Sequence, residues 1–146
     1  MLAPRPSSEQ ALAAQIADAA AAGQTIALRG GGSKADFGRP TGSAILDLSA
    51  FQGVIDYDPS ELVLTVGAAT PLAEIEALVA AHNQMLAFDP FDHGPIFGRD
   101  KGAATIGGVV AGNVSGSSRV SQGAARDHLL GFRAVSGRGE PFVAGA

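Results

Sequence analysis

Two glycine-rich stretches hold the residues of this chain best suited to gripping a ligand. The first is Arg29-Gly30-Gly31-Gly32-Ser33-Lys34, directly after the apolar run Ile26-Ala27-Leu28. Successive backbone N–H groups in a glycine-rich turn form a concave anion site with little need of side-chain charge. Lys34 adds a point charge, and Arg29 could anchor the loop or reach a phosphate. The spacing is not that of the phosphate loop G-x-x-x-x-G-K-[ST]. Nor does it open a long helix as G-x-G-x-x-G must, because Asp36-Phe37-Gly38-Arg39-Pro40 intervenes. A mononucleotide loop and a doubly wound dinucleotide site are therefore disfavoured. A backbone anion site and a flexible surface loop both remain open on this stretch alone.

The second stretch is Ala104-Thr105-Ile106-Gly107-Gly108, followed by Gly112-Asn113, Gly116, Gly123 and Arg126-Asp127. Small residues here let backbone lie flat against a large planar or extended ligand, with Thr105 and Asn113 exchanging hydrogen bonds at its edge. The alternative is a glycine-rich helix packed closely on a neighbour. The other polar residues carry weaker signals. His82, His93 and His128 lack metal-ligand spacing; they read as a helix-end, a solvated-loop and a strand-edge residue. Asp89 and Asp92 suit turns better than a cation site, and Glu74 and Glu76 fall on the polar side of a helix. No Ser/His/Asp set has a catalytic spacing. No general base stands out, so the catalytic residues are unknown at this level.

The elements that position these residues follow from pattern. Ser7 and Gln10 have capping-box spacing before an alanine-rich helix with Leu12, Ile16, Ala19 and Ala20 on one face and Gly23 at its end. Residues 25–28 and 44–48 read as strands. Residues 53–57 and 61–66 flank Asp58-Pro59-Ser60 as a hairpin. Thr70-Pro71 predicts the N-cap and first position of a second helix, striped by Leu72, Ile75, Leu78 and Val79. Residues 91–104 read as loop, and 128–145 as strand, turn and strand with the turn at 137–139. A helix followed by many strands, with few βαβ units, predicts the α+β class.

Composition narrows the function classes. The 146 residues are 46% hydrophobic with net charge −4. Such a chain can bury a core and offers no general nucleic-acid or anionic-membrane surface. It has no cysteine, which removes disulfides, thiolate metal sites and a cysteine nucleophile. No apolar run approaches the ~20 residues of a membrane span, and residues 1–10 lack a signal-peptide core. A cytoplasmic protein is expected.

Taken together, the Arg-Gly-Gly-Gly-Ser loop, Ala-Thr-Ile-Gly-Gly with Asn-x-x-Gly, and Arg-Asp-x-x-Leu-Gly resemble the flavin-binding domain of the vanillyl-alcohol oxidase superfamily, the PCMH type. Residues 88–140 look most like the FAD-binding E subunits of bacterial glycolate oxidases. The resemblance implies a PCMH-type fold, with a small N-terminal α/β subdomain near residues 1–66. A second, mainly antiparallel subdomain flanked by helices would span residues 67–146. It implies one domain over 1–146 that is an N-terminal part of the family pattern, without the end of the flavin domain and without the cap. The pyrophosphate would lie on Arg29, Gly30, Gly31, Gly32, Ser33 and Lys34. The second flavin-contacting segment would be Ala104, Thr105, Gly107 and Gly108 with Gly112, Asn113 and Gly116, and Asp89-Pro90 would lie near the isoalloxazine. A pyrophosphate implies FAD rather than FMN. Covalent-flavin members carry His in or just after the loop; Ser33 and Lys34 stand here, which implies non-covalent FAD. The implied activity is hydride transfer from a small 2-hydroxy acid such as glycolate, with partner subunits of a glycolate oxidase complex. Another FAD-linked oxidoreductase of the fold, of D-lactate dehydrogenase or alditol oxidase type, and a non-catalytic assembly subunit are the alternatives. Ser117-Ser118-Arg119 departs from the Pro-Arg-Arg of close E-subunit relatives.

Overall fold

The computed structural model describes residues 5–145. Helix α1 spans Glu9–Ala21. Its N-cap is Ser8 rather than Ser7, displaced by one residue from the expected capping pair. Ser8 has extended backbone, and its hydroxyl accepts the Ala11 N–H at 3.1 Å, the geometry that satisfies an orphan donor of the first turn. Ile16 and Ala19 are buried as the stripe predicts, while Ala20 is exposed. Gly23 and Gln24 close the helix by donating to the Ala20 and Ala19 carbonyls.

Strands β1 (Ile26–Arg29) and β2 (Ala44–Asp47) pair in parallel, from Ile26↔Ala44 to Arg29↔Asp47. Strands β3 (Val54–Asp58) and β4 (Val63–Val66) form the expected hairpin, with a register shift between Val54 and Asp56. Its turn is held by Asp58 Oδ1, which accepts the N–H groups of Ser60 and Glu61. Strands β5 (Gly131–Val135) and β6 (Pro141–Gly145) make a third two-stranded sheet, also antiparallel. This last hairpin leans on α1: Arg133 makes two hydrogen bonds to Glu9, at 3.1 and 3.2 Å.

Helix α2 covers Leu72–Ala80, with Pro71 and not Thr70 at the N-cap. The Thr70 hydroxyl has a different task. Fully buried, it donates to the Gly67 carbonyl at 2.7 Å and accepts the Gly53 N–H at 2.9 Å, tying the start of β3 to the entry of α2. Helices α3 (Ile106–Ala111) and α4 (Arg119–Gln122) and 3-10 turns at Gly94–Phe97 and Ala125–His128 complete the described elements. A strand-like bridge, Pro71↔Thr105, sets the beginnings of α2 and α3 side by side. Leu72 N–H donates to the Ala104 carbonyl at 2.9 Å, and Ile106 N–H to Thr70 at 3.0 Å. Beneath this junction Leu72, Phe88, Ala104, Val109, Val114 and Ala125 form the core. Val109 is fully excluded from water, a burial worth roughly 1.5–3 kcal/mol.

Candidate functional site

Strand β1 hands the chain to the glycine loop at Arg29, whose carbonyl accepts the Leu48 N–H at 2.8 Å. Two successive turns follow, Ala35 N–H to Gly32 and Phe37 N–H to Lys34, each at 3.0 Å. Gly32 takes a left-handed φ of +82°, where a side chain is strained. Among the described residues no acceptor meets the N–H groups of Gly30, Gly31, Gly32, Ser33 or Lys34. Ser33 is nonetheless only 5% exposed. A run of unpaired donors in a partly buried loop is costly unless a ligand takes them up. Arg29 lies opposite Asp47 in the β1–β2 register. Hydrogen bonds from Ser49 hold the Asp47 carboxyl below its ordinary value, and the charges of Arg5 and Arg29 add to this.

The loop rests on residues 103–105. A side chain at Gly30 would press on Thr105 Oγ1 at 2.9 Å, and one at Gly31 would overlap the Ala103 carbonyl. Lys34 then crosses α3. Its Nζ lies 3.5 Å from where a Cβ of Gly108 would stand, and its Cε 3.6 Å from that of Gly112. Burial lowers the Lys34 pKa, and the negative charge of Asp92 partly opposes this.

The glycines of α3 serve otherwise. Gly107 N–H donates to the Ala68 carbonyl at 2.7 Å, and a Cβ there would stand 2.8 Å from Ala68 Cβ. Gly108 N–H points to Thr105 Oγ1 at 3.4 Å, and Val109 N–H donates to the Thr105 carbonyl. The first amides of this helix are thus used within the protein, and the close-packed helix is the arrangement seen at Gly107. Asn113, at φ +48°, accepts the Arg126 N–H on Oδ1 at 3.0 Å. Asp127 accepts the Ala124 N–H at 2.8 Å, which makes Arg126-Asp127 a turn. The Asp89 carbonyl accepts the Gly116 N–H at 2.7 Å, and a Cβ at Gly116 would overlap the Asp89 carboxylate.

The structure therefore gathers Arg29 to Lys34, Ala104, Thr105, Gly108 and Gly112 in one place, and joins Asp89-Pro90 to Gly116 in another. Two grooves run beside α2. One, of about 420 Å³, is lined by Leu72, Pro90, Phe91, Lys101 and Ala104; the other, of about 320 Å³, by Leu86, Asp89, Pro90 and Ser118, with Glu76 facing both.

Two neighbours were read from sequence as a turn residue, Asp92, and a solvated-loop residue, His93. Asp92 accepts the N–H groups of Gly94, Gly102 and Ala104 at 2.8, 2.7 and 3.4 Å. Burial pushes its carboxyl up, but the amides of Gly94, Gly102, Ala104 and Ala103 outweigh that and hold it below its ordinary value. The Asp-x-Gly pattern at 92–94 is the signal that points to such a turn. His93 is half-buried rather than solvated, stacked on Phe91 with ring centroids 4.5 Å apart. Its Nδ1 is buried without a partner among the described residues. His128 closes a 3-10 turn and not a strand edge, with Nε2 2.8 Å from the Gln122 carbonyl and its ring against Phe88. Glu74, Glu76 and His82 are exposed, and the His82 ring stands edge-on to Tyr57. Among the described residues no three acidic or histidine side chains could hold a metal ion.

A strand feeds a loop of unpaired amides, and the start of a second glycine-rich segment floors it. The chain belongs to the FAD binding domain family, whose model matches residues 3–145, and FAD is its cofactor. The residues present fit it: a pyrophosphate needs several donors, and the unpaired 30–34 amides with the Lys34 ammonium offer them. Among curated proteins the chain is similar to the glycolate oxidase subunit GlcE of Escherichia coli strain K12. The two are 38% identical over 131 residues, which is 90% of this chain and 35% of that protein. It is also similar to a D-2-hydroxyglutarate dehydrogenase of Xanthomonas citri pv. viticola, at 29% identity over 68% of this chain and 19% of that one. The chain thus spans about a third or less of the curated relatives it matches. Solved structures of the same fold include 6-hydroxy-D-nicotine oxidase from Arthrobacter nicotinovorans, with TM-score 0.76, 18% identity, 97% of this chain and 29% of that one. The glucose dehydrogenase Phl p 4.0202 matches with TM-score 0.74, 18% identity, 96% of this chain and 28% of that one.

Proposed function

We propose that this chain supplies the pyrophosphate-binding part of a flavin-dependent 2-hydroxy-acid oxidoreductase of the glycolate oxidase type, working with partner subunits in the cytoplasm. The observation that carries the reading is the loop itself: consecutive unpaired amides from Gly30 to Lys34, capped by one lysine and laid on Ala103 to Thr105. Similarity to the GlcE subunit supports the substrate class. Bound FAD supplies an acceptor for a hydride equivalent from the substrate carbon. The residues of this chain bind and orient. The 30–33 amides and Lys34 take the pyrophosphate; Thr105, Gly108 and Gly112 shape the floor under Lys34. Asp89-Pro90 borders the grooves along α2 on the ring side, and Gly116 backs Asp89 by donating to its carbonyl. The FAD is held non-covalently, since Ser33 and Lys34 occupy the positions where a linking histidine would stand.

The purified full-length protein should show a visible flavin absorption band, released intact by acid precipitation. That band should bleach under anaerobic conditions with glycolate faster than with D-lactate. A colourless protein that takes up no added FAD refutes the reading. Faster bleaching by D-lactate or D-2-hydroxyglutarate would favour the second reading, another FAD-linked 2-hydroxy-acid dehydrogenase, which the Xanthomonas relative supports.

A further inference from the structure

The loop that follows Lys34 and the excursion from Gly94 to Gly102 are fastened together at their tips. Arg99 sends Nε to Asp36 Oδ2 at 2.7 Å and Nη2 to the same oxygen at 2.6 Å. Beside this pair the Phe37 ring stands edge-on to Phe97, centroids 6.1 Å apart. At its base the excursion is pinched by Asp92, whose carboxylate takes the N–H groups of both Gly94 and Gly102. Base and tip differ in kind. The base is a half-buried carboxylate with several charge-assisted bonds, the strong type. The tip is open to water: the Arg99 and Asp36 side chains are 45% and 56% exposed, and Phe37 is 72% exposed. An ion pair this exposed is weak and screened by salt. Of the two fastenings the tip is the weaker.

We propose that the 94–102 excursion is a strap that holds the cofactor loop down on residues 103–105 and slows the release of bound FAD. Its clasp is the Arg99–Asp36 pair with the Phe37–Phe97 contact. The inference rests on the reading of Arg29 to Lys34 as the pyrophosphate site. Asp36, Phe37, Phe97 and Arg99 are positioning residues. They act on FAD through the place of the loop, since Asp36 and Phe37 continue directly from Lys34 through the turn that Phe37 N–H closes onto the Lys34 carbonyl.

The test uses the full-length holoprotein and follows free-flavin fluorescence after dilution. Arg99→Gln and Asp36→Asn should each speed FAD release about 3-fold, the scale of an exposed ion pair. Adding Phe97→Leu to Arg99→Gln should bring the change to about 10-fold. The exchanged pair Asp36→Arg with Arg99→Asp should return release toward the wild-type rate. Raising salt should speed release from wild type more than from Arg99→Gln, in which the ionic contact of Lys34 with the pyrophosphate is still screened but the clasp is already gone. Hydrogen exchange at amides 94–102 should be faster in Arg99→Gln, with or without FAD. Normal FAD binding with unchanged release and exchange in Arg99→Gln overturns the strap. Absence of any FAD binding by the wild-type protein overturns the cofactor reading instead, and the strap's role in release with it.

Discussion

Gly30 to Gly32 and Gly107 to Gly116 are both glycine-rich, yet the backbone does opposite things in them. In the first, the amides are left over: the carbonyls of Arg29, Gly32 and Lys34 have partners, whereas the N–H groups from Gly30 to Lys34 have none among the described residues. In the second, the amides are spent inside the protein, on Ala68, Thr105 and Asp89. The missing side chains also differ in purpose. Gly31 makes room for its own floor at Ala103, and Gly107 and Gly116 make room for neighbouring segments at Ala68 and Asp89. One stretch uses glycine to present donors; the other uses it to pack. Counting glycines cannot separate these uses, and following each N–H to its acceptor does.

Substitutions can break this contrast. The largest effect is expected at Gly31→Val, because the new Cβ overlaps backbone that cannot step aside. Overpacking of about 1–3 kcal/mol should weaken FAD binding roughly 10-fold to 100-fold, read by fluorescence titration. Gly107→Ala carries a comparable overpacking cost, about 1–3 kcal/mol, but should appear in urea unfolding while the FAD affinity of the folded protein stays near wild type. Equal loss of affinity in both variants would erase the distinction between presenting and packing.

Asp92→Ala removes the acceptor shared by Gly94, Gly102 and Ala104 and should cost about 2–3 kcal/mol by urea unfolding. The sign with pH follows from a carboxyl held below its unfolded value. Its stabilising contribution is full above the ordinary carboxylate range and is lost as pH falls through the lowered folded pKa. Wild type should therefore lose stability in strong acid more steeply than Asp92→Ala.

Lys34→Met should weaken FAD binding about 10-fold, as the loss of one charge-assisted contact. Burial lowers the Lys34 pKa, so its ammonium loses its proton earlier than an exposed lysine does, and a bound anion favours the charged form. Wild-type affinity should fall as pH rises toward 10.5, measured by titration calorimetry, and Lys34→Met should show no such fall. The smallest effect belongs to Gly108→Ala. Its Cβ would meet Thr105 Oγ1 at 3.3 Å and Lys34 Nζ at 3.5 Å. The alanine's helix propensity, worth about 1 kcal/mol, should offset that crowding and leave both stability and affinity nearly unchanged.

How much of this was legible in sequence depended on whether the signal was local. The hairpins, the end of α1 at Gly23 and the stripe of α2 follow from turn chemistry and periodicity, which act over a few residues. The two caps came out differently for local reasons too. Ser7 and Ser8 are adjacent hydroxyls, and only the chain's entry angle decides between them. Thr70 was drawn from its cap by buried partners at Gly53 and Gly67, which no local rule contains. At the site, the glycine loop was visible as a candidate, but its meaning came from Ala103 and Thr105, far along the chain. Asp92 carried a readable Asp-x-Gly turn, yet its grip on Gly102 and Ala104 is long-range. His93 was read as a solvated residue because Phe91, though only two positions away, gives no sequence sign that the two rings stack.

The contact of Gly31 with Ala103 and the bridge from Pro71 to Thr105 also set an order of events during folding. The glycine loop leaves the ribosome before its floor does, attached to a strand whose partner β2 follows soon after. Its floor is made much later, once the chain through Thr105 is available to pair with Pro71. Closing so wide a span costs entropy that local contacts do not recover until α2 and α3 dock together. The nascent protein can thus form β1 and β2 well before it can seat the glycine loop on its floor, and that seating should arise in one late step, when the two helix beginnings meet.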